Sequence, residues 1–316
     1  MIVFIYVVLL FLVLRFTVTL FNFLSNPKLG HYGKKFSDRV SVIMESDNYA
    51  NSEFLAKQEY NNIEILYVEQ YGSVQAAIEN ATGKYLLFLD VGLAIQKGFI
   101  NSLIYRMKVF DLALLSVIPN KKLFSLKDRL LGPLPEYLLI SLLPLRLVRI
   151  FNLPSFSSAN KRCLFFDRDL YMQNNWHQEL AERGWSVSKM SRLVKERKLN
   201  AEILLANKLL YNSKPVNISS FARETFQHFD ASVPGTILYL IMVMVGPLVM
   251  FLNFEMAFLL LPLSLIFLSR IMISFLTTQN ALINVLLHPL QMLILTYLLC
   301  KGLFMYFCRI KYFQIK

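Results

Sequence analysis

The sequence predicts an α/β domain with a mainly parallel sheet, set between membrane-spanning helices at both ends of the chain. Three observations support this prediction. Hydrophobic residues make up 55% of the 316 residues, which is more than a soluble domain of this size normally carries. The longest apolar runs lie at the two ends. Between them, short apolar runs alternate with segments that have helical spacing.

The N-terminal apolar run covers residues 1–24 and contains one charged residue, Arg15. It is long enough to cross a hydrocarbon core of about 30 Å at about 1.5 Å per residue. The basic residues Lys34 and Lys35 follow the run instead of preceding it, and bulky residues stand where a cleavage site would need small ones. We therefore expect a membrane anchor and not a cleaved signal peptide. The positive-inside tendency then puts the chain after the anchor in the cytoplasm.

Three further apolar runs lie near the C-terminus, at residues 232–252, 256–276 and 281–307. They predict three more spans in a membrane region of residues 231–308, and hence a multi-pass protein of a bacterial cell membrane. Pro262 and His288-Pro289 mark the expected helix breaks. Three spans would leave the basic tail, 309–316, on the outer side, against the charge rule, so the alternative is that one run is re-entrant or interfacial.

The middle region, residues 25–230, is predicted to form the cytoplasmic α/β domain. Buried strands are expected at 40–45, 61–73 and 84–92, and helical segments at 74–81 and 94–110. In such sheets, ligands bind at the carboxyl ends of the strands. Asp90 lies at one of these ends, so this edge is the predicted site.

The charge of the middle region limits the kinds of partner. It holds 27 Lys/Arg against 20 Asp/Glu, a surplus of seven. This surplus suits an anionic leaflet or a phosphorylated ligand, and it would also suit nucleic acid. Tethering to a membrane makes nucleic acid the least expected of these partners. Cys163, Cys300 and Cys308 have no paired spacing with histidine, which indicates neither a disulfide framework nor a zinc site.

Residues 121–152 combine leucine-rich runs with basic residues and three prolines. One interpretation is an amphipathic segment that lies at the membrane surface with its basic side chains towards the headgroups. The other is a helix of the domain's own core with a solvated basic face. Both remain open. The basic residues concerned are Lys121, Lys122, Lys127, Arg129, Arg146 and Arg149.

Five stretches of the middle region together carry a resemblance to a known family. They are, in order, "VSVIMESDN", "IEILYVEQYGS", "AAIENATGKYLLFLDVG", "SSANKRCLFFDRDLY" and "MSRLVKERKLNAEILLANKLLYNSKP". The sequence resembles the membrane-bound glycosyltransferases of family 2, which have a GT-A fold, and among them the processive and ceramide-glucosyltransferase-like branch. The likeness covers most of residues 38–230, and the order of the stretches is more specific than any single motif. It implies transfer of a sugar from a nucleotide-sugar donor to a membrane lipid acceptor, with inversion.

The resemblance also implies which groups the reaction needs. A divalent metal, Mn²⁺ or Mg²⁺, held by carboxylates neutralises the donor diphosphate, and a separate carboxylate acts as general base. Asp90 stands at the first position of the family's D-x-D motif and Gly92 at the second, so Asp90 is the implied metal ligand. Ser188 and Lys189 stand where the family has a Glu-Asp pair. The alternative is therefore a catalytically inactive homologue that serves as a membrane scaffold or binds a ligand or a partner enzyme.

Four acidic residues are candidates for donor binding: Asp90, Glu69, Glu45 and Asp47. The resemblance favours a metal or a ribose hydroxyl as the partner of Asp90, although an Asp before Gly is also ordinary turn chemistry. Glu69 follows the second strand, and Glu45 and Asp47 follow the first. A solvated carboxylate at a strand end or in a surface loop is the alternative interpretation for these three.

Several basic or titratable residues are further candidates. Lys161 and Arg162 would suit a diphosphate or a lipid headgroup, since guanidinium pairs bidentately with phosphate; charge facing the leaflet is the alternative. His177, beside Trp176, is a candidate base or a packed side chain. Arg270 lies inside an apolar run, which marks it as functional unless it extends to the interface.

Overall fold

The computed structural model describes residues 1–46, 59–183, 187–214, 218–229 and 232–308. The described strands are β1 (Val40–Met44), β2 (Ile63–Tyr67), β3 (Tyr85–Leu89), β4 (Leu93–Ile95), β5 (Leu112–Ile118), β6 (Asn120–Lys121), β7 (Cys163–Asp167), β8 (Asn200–Leu205) and β9 (Leu210–Asn212). The described helices are α1 (Ile2–Ser25), α2 (Val68–Tyr71), α3 (Val74–Glu79), α4 (Phe99–Phe110), α5 (Leu126–Leu131), α6 (Leu134–Leu142), α7 (Leu145–Ile150), α8 (Arg168–Gln173), α9 (Trp176–Arg183), α10 (Val187–Glu196), α11 (Ile218–Gln227), α12 (Val233–Leu240), α13 (Gly246–Asn253), α14 (Met256–Leu276), α15 (Ala281–Leu286) and α16 (His288–Phe307).

The chain forms two compact units. Of the described residues, the sheet unit comprises 27–46, 59–122, 145–183 and 187–214, and the membrane unit comprises 1–26, 123–144, 218–229 and 232–308. The predicted domain limits at residues 24 and 230 stay predictions.

The sheet unit is built on a six-stranded sheet in the order β2-β1-β3-β7-β5-β8. The pairs β1/β2, β1/β3 and β5/β8 are parallel, and β7 runs antiparallel to both of its neighbours. The prediction of an α/β fold with a mainly parallel sheet is confirmed. A second sheet, in the order β4-β9-β6, has three short strands.

Both faces of the six-stranded sheet are covered, which explains why its strands have continuous apolar runs. On one face, Val42 and Leu87 pack with residues of α4 such as Leu103. On the other face, Ile43 and Leu86 pack with a core that includes Trp176, which is fully buried. Successive residues of a strand point to opposite faces, so each strand contributes to both cores.

One side of the sheet unit holds a buried ion pair that the sequence did not predict. Arg106 of α4 donates two hydrogen bonds to Glu202 of β8, each 2.6 Å long. Arg146 and Arg149 of α7 lie 3.5 and 3.1 Å from the same carboxylate. In the segment 121–152, these two arginines thus face Glu202, whereas α5 and α6 belong to the membrane unit.

The membrane unit contains helices long and apolar enough to cross a membrane. They are Ile2–Ser25, Val233–Asn253, Met256–Leu276 and His288–Phe307, which confirms one such helix at the N-terminus and three near the C-terminus. The second of them includes a π-helical segment at Ile241–Val245. The predicted break at His288 is present, since α15 ends at Leu286 and α16 begins at His288. The predicted break at Pro262 is wrong, because α14 continues through that residue; helices with an internal proline persist where neighbouring groups satisfy the freed carbonyl.

Candidate functional site

The carboxyl edge of β1, β2 and β3 is the place where this topology favours a ligand. The chain passes from β1 to β2 on one side and then to β3 on the other side of β1. The order therefore reverses between β1 and β3, and open α/β sheets bind ligands outside the carboxyl ends of the strands at such a switch point. Ile43 of β1 pairs with Phe88 of β3. Extending this register by two residues places Glu45 opposite Asp90.

Strand β7 brings two basic residues beside Asp90. Because β3 and β7 are antiparallel and Leu89 pairs with Cys163, the residue after β3 meets the residue before β7. Accordingly, the Asp90 N–H donates to the Arg162 carbonyl at 2.9 Å. The Asn160 side-chain oxygen accepts from the Arg162 N–H at 3.0 Å, which fixes the turn. Asp90, Lys161 and Arg162, which the sequence named separately, are thus brought together.

The small sheet adds a lysine that sequence reasoning missed. Strands β4 and β9 are antiparallel with Leu93 paired to Asn212, and the Ser213 N–H donates to the Gly92 carbonyl at 3.2 Å. One residue further, the Lys214 ammonium lies 3.2 Å from an Asp90 carboxylate oxygen. The Asn212 side-chain oxygen accepts from the Lys214 N–H at 2.9 Å and holds the turn.

Gly92 has a structural reason to lack a side chain. Its φ of +83° lies in the region that favours glycine. A Cβ at this position would lie 3.3 Å from Cγ of Lys214. The turn at Gly92 therefore leaves room for the stem of Lys214 on its way to Asp90.

The Asp90–Lys214 ion pair is partly exposed, with side-chain exposures of 29% and 47%. Pairs of this kind contribute roughly 0–1 kcal/mol to stability. Lys161 is exposed and Arg162 is half-buried beside them. Around Asp90 the chain thus places three basic residues, Lys214, Lys161 and Arg162. Basic residues suit an anionic ligand with several oxygens, because charge-assisted bonds to phosphate are the strong ones. The pair itself is weak enough to rearrange around such a ligand.

The described residues of this edge do not fit the divalent metal that the resemblance implies. Among the described residues, no three His, Cys, Asp or Glu side chains lie close enough to hold a metal ion. Asp90 already pairs with Lys214, and Gly92 offers no ligand. Mg²⁺ and Mn²⁺ prefer several oxygen ligands, so a single lysine-paired carboxylate is a poor site.

Two of the other acidic candidates lie at the same edge. The N–H of Glu69, in α2, donates to the Glu45 carbonyl at 3.3 Å, so the segments after β1 and β2 are adjacent. Both side chains are exposed. Asp47 lies outside the described residues. The roles of Glu45 and Glu69 in donor binding stay predictions.

The candidate bases lie on helices of the other core. Lys189 is exposed on α10, and the side chain of Ser188 is outside the described part of the chain. His177 lies on α9, which packs on α8 and α10. Burial lowers the pKa of His177, so its imidazole is neutral at pH 7, as a base must be. His177 packs among these helices, and no contact joins it to Asp90 within the described residues.

Comparisons with known proteins reveal a distant likeness to solved structures. No protein-family model and no curated protein sequence matches this chain. The mannosyltransferase PcManGT from Pyrobaculum calidifontis, solved with GDP-Man and Mn²⁺, is 13% identical with a TM-score of 0.46, over 91% of this chain and 99% of that chain. S. aureus TarS 1-349 in complex with UDP-GlcNAc is 14% identical with a TM-score of 0.36, over 84% of this chain and 88% of that chain. At such identities and TM-scores, nothing about the chemistry of this chain follows from them.

Proposed function

We propose that this protein is a membrane-bound glycosyltransferase that takes a sugar from a nucleotide-sugar donor and transfers it, with inversion, to a lipid-type acceptor. The observation that carries the proposal is the edge at the β1/β3 switch point, where Asp90 pairs with Lys214 and bonds to the main chain of Arg162, the neighbour of Lys161. The resemblance of residues 38–230 to family 2 glycosyltransferases supports it, as do the helices long enough to cross a membrane. The sheet unit is expected to face the cytoplasm, because basic residues follow α1.

In this reaction, an acceptor hydroxyl oxygen forms a bond to the anomeric carbon while the bond from that carbon to the nucleotide diphosphate breaks. The hydroxyl proton passes to a base, and the diphosphate leaves with an additional negative charge. Lys214 and Lys161 are the groups we assign to this charge, since an ammonium is a compact cation that suits phosphate oxygens. Asp90 would accept from a ribose hydroxyl.

The Asp90–Lys214 pair gives a specific route for donor binding. When a ribose hydroxyl donates to Asp90 and phosphate oxygens approach, the ammonium can move from the carboxylate to the phosphate. The exchange costs little because the existing pair is partly solvated. On this proposal, lysine supplies the positive charge that the resemblance assigns to a metal, so donor binding should persist in a chelator.

The test is nucleotide binding by the full-length protein in detergent, followed as the rise in thermal midpoint and as a dissociation constant. A panel of nucleotide sugars and nucleoside diphosphates is titrated in EDTA and in Mn²⁺ or Mg²⁺. Asp90→Asn and Lys214→Gln are compared with Lys84→Gln. Lys84 stands before β3, at the opposite end of the same strand, and lies 3.8 Å from Asp38, so this control removes an equally exposed lysine from the wrong edge.

We expect one nucleotide class to bind in EDTA, with about tenfold or greater loss in Lys214→Gln and no loss in Lys84→Gln, since a charge-assisted hydrogen bond is worth about 1.5–3 kcal/mol. Binding only with Mn²⁺ or Mg²⁺ would refute the role of Lys214. Failure of every nucleotide to bind the folded protein would refute the donor site.

A second function is favoured by Gly92 and by Lys189, which stand where the family has a metal ligand and a base. In this second function, the protein is a non-catalytic homologue that binds a ligand or a partner enzyme. The two functions differ in one assay: turnover of the bound nucleotide sugar with extracted membrane lipids as acceptor. Product that disappears in Asp90→Ala supports the transferase; binding without product, together with full complementation of a deletion strain by Asp90→Ala, supports the scaffold.

A further inference from the structure

Among the described residues, a buried arginine of the membrane unit donates to uncharged acceptors alone. Arg270 of α14 is 1% exposed, so its side chain turns inward and does not extend to the interface. Its guanidinium donates to the Gln291 side-chain oxygen at 2.6 Å and, at 3.5 Å, to the Asn284 carbonyl. It also lies over the ring of Tyr137, 5.0 Å from the centroid.

A second buried arginine faces the same tyrosine. Arg15 of α1 is 8% exposed and donates to the Ser141 hydroxyl at 3.0 Å. Its guanidinium lies 5.2 Å from the ring centroid of Tyr137 and 5.4 Å from that of Tyr239. Tyr137 therefore contacts two cations that come from different helices. We call Arg15, Tyr137, Tyr239, Arg270, His288 and Gln291 the arginine cluster.

The arginine cluster carries a surplus of positive charge. Glu136, the residue before Tyr137, is buried and attracts the guanidinium of Arg270 electrostatically. Within the described part of the chain, this carboxylate balances one of the two guanidinium groups and leaves the other without a counter-charge in the cluster. A buried charge in apolar surroundings is costly unless it is paired, and inside a membrane such residues mark binding sites by default.

The cluster also has polar atoms that the protein leaves unused. Within the described residues, Arg15 Nε, the Tyr239 hydroxyl and His288 Nδ1 are buried and have no hydrogen-bond partner. The three side chains are 8%, 4% and 5% exposed. Arg15 and His288 contact the ring of Tyr137, and Tyr239 contacts Arg15. A ligand with one negative charge and several acceptor oxygens would satisfy both the charge and these atoms.

The position of the cluster indicates the source of that ligand. Gln291 donates to the Arg129 carbonyl in α5 at 2.8 Å, and Tyr137 lies in α6. The nine residues of α6 extend over about 13 Å at about 1.5 Å per residue, too short to cross a bilayer. Arg270 lies six residues before the end of α14, about 9 Å along the axis. These helices place the cluster near one end of the apolar helices, at a depth that the headgroup region can reach.

We propose that the arginine cluster binds the phosphate group of an anionic membrane lipid. Arg15 and Arg270 contribute the charge, and Arg15 Nε and the Tyr239 hydroxyl donate to the phosphate oxygens. The lipid is a structural ligand of the membrane unit, and the proposal stands independently of the chemistry at Asp90.

The experiment uses the full-length protein, stripped of lipid in a neutral detergent. Its thermal midpoint is measured with phosphatidylglycerol, with phosphatidylcholine, and with inorganic phosphate alone, and the lipid phosphorus retained per chain is assayed. A ligand at saturating concentration that binds only the folded state should raise the midpoint by roughly 5 °C. We expect this rise with phosphatidylglycerol in the wild type and its loss in Arg15→Gln and Arg270→Gln.

Two further variants make the result specific. Lys127→Gln removes an exposed basic residue of α5 in the same unit and should keep the full rise. Tyr239→Phe removes a hydroxyl that has no partner among the described residues. It should leave the lipid-free midpoint unchanged or slightly higher while it reduces the rise. This variant also tests the cluster if an arginine variant does not fold.

Four outcomes would overturn the proposal. An equal rise with phosphatidylcholine would mean a general lipid effect, and an equal rise with inorganic phosphate would mean a soluble anion. No rise in the wild type, or the same rise in Tyr239→Phe and both arginine variants, would mean that the cluster only joins the helices to one another.

Discussion

The sheet unit contains two ion pairs that differ in burial and hence in what they can do. Arg106 and Glu202 have side-chain exposures of 8% and 0% and form two bonds of 2.6 Å. Lys214 and Asp90 have exposures of 47% and 29% and lie 3.2 Å apart. The first pair is inaccessible to any ligand, whereas the second stands at the edge where the strand order reverses.

The difference leads to opposite expectations for the two pairs, one for stability and one for the proposed binding. Removing one partner of a buried pair leaves an uncompensated charge and costs about 3–5 kcal/mol, but an exposed pair contributes about 0–1 kcal/mol. Burial would lower the pKa of Arg106, but its hydrogen bonds to Glu202 outweigh burial and raise that pKa. The pKa of Arg146 is lowered by burial and by the neighbouring charge of Arg106. A pair under such constraint is fixed, and the pair at Asp90 is free to exchange.

The largest expected effect comes from Glu202→Ala. Three arginines would lose their shared carboxylate, and we expect the free energy of unfolding of the sheet unit to fall by about 3–5 kcal/mol, measured by denaturant titration in detergent. Asp169→Ala is the matched control, because Asp169 is 78% exposed and lies 4.0 Å from Arg168, and it should change stability by less than about 1 kcal/mol. Equal losses in the two variants would contradict the distinction.

Of these two ion pairs, the residue patterns alone predicted one member, Asp90. Asp90 could be placed because the apolar run before it predicts a strand and a Gly follows. Lys214 could not, since it reaches Asp90 through β4 and β9, strands of three residues each that are too short for a periodic signal. Glu202 could not be assigned either, because its partner Arg106 lies 96 residues away and no local pattern encodes such a pairing.

The same limit applies to the membrane unit. Apolar length predicted its long helices, and Arg15 and Arg270 were visible as charges inside apolar runs. Whether each arginine turns inward or extends to the interface depends on Tyr137 and Gln291, which come from other helices. The helix that continues through Pro262 shows in turn that a local signal is overridden by packing.

A buried lysine that donates to main-chain carbonyls should change stability by an intermediate amount, and the change should depend on pH. Lys195 donates to the Val148 and Phe151 carbonyls, and burial lowers its pKa to about 8. Between pH 8 and 10, the folded state loses the proton that the unfolded lysine still holds, so the unfolded state binds more protons and stability rises with pH. The slope due to this residue is at most about 1.4 kcal/mol per pH unit.

The measurement is the thermal midpoint of the wild type and of Lys195→Met from pH 7 to pH 10. Burial raises the pKa of Cys163, so that thiol lowers stability as the pH rises, but it does so equally in both proteins. The thermal midpoint of the wild type should therefore rise relative to that of Lys195→Met as the pH increases. Parallel curves would mean that Lys195 keeps its proton.

The smallest expected change in stability comes from Asp90→Asn. The Asp90 N–H bond to the Arg162 carbonyl remains in this variant, and the lost ion pair is partly solvated, so the free energy of unfolding should change by less than about 1 kcal/mol. The same variant should lose nucleotide binding, which makes the two pairs opposite in kind: Glu202 determines stability and Asp90 determines binding. A loss of stability near that of Glu202→Ala would show instead that Asp90 holds the edge together, and weaker nucleotide binding in this variant would then report damage to the fold.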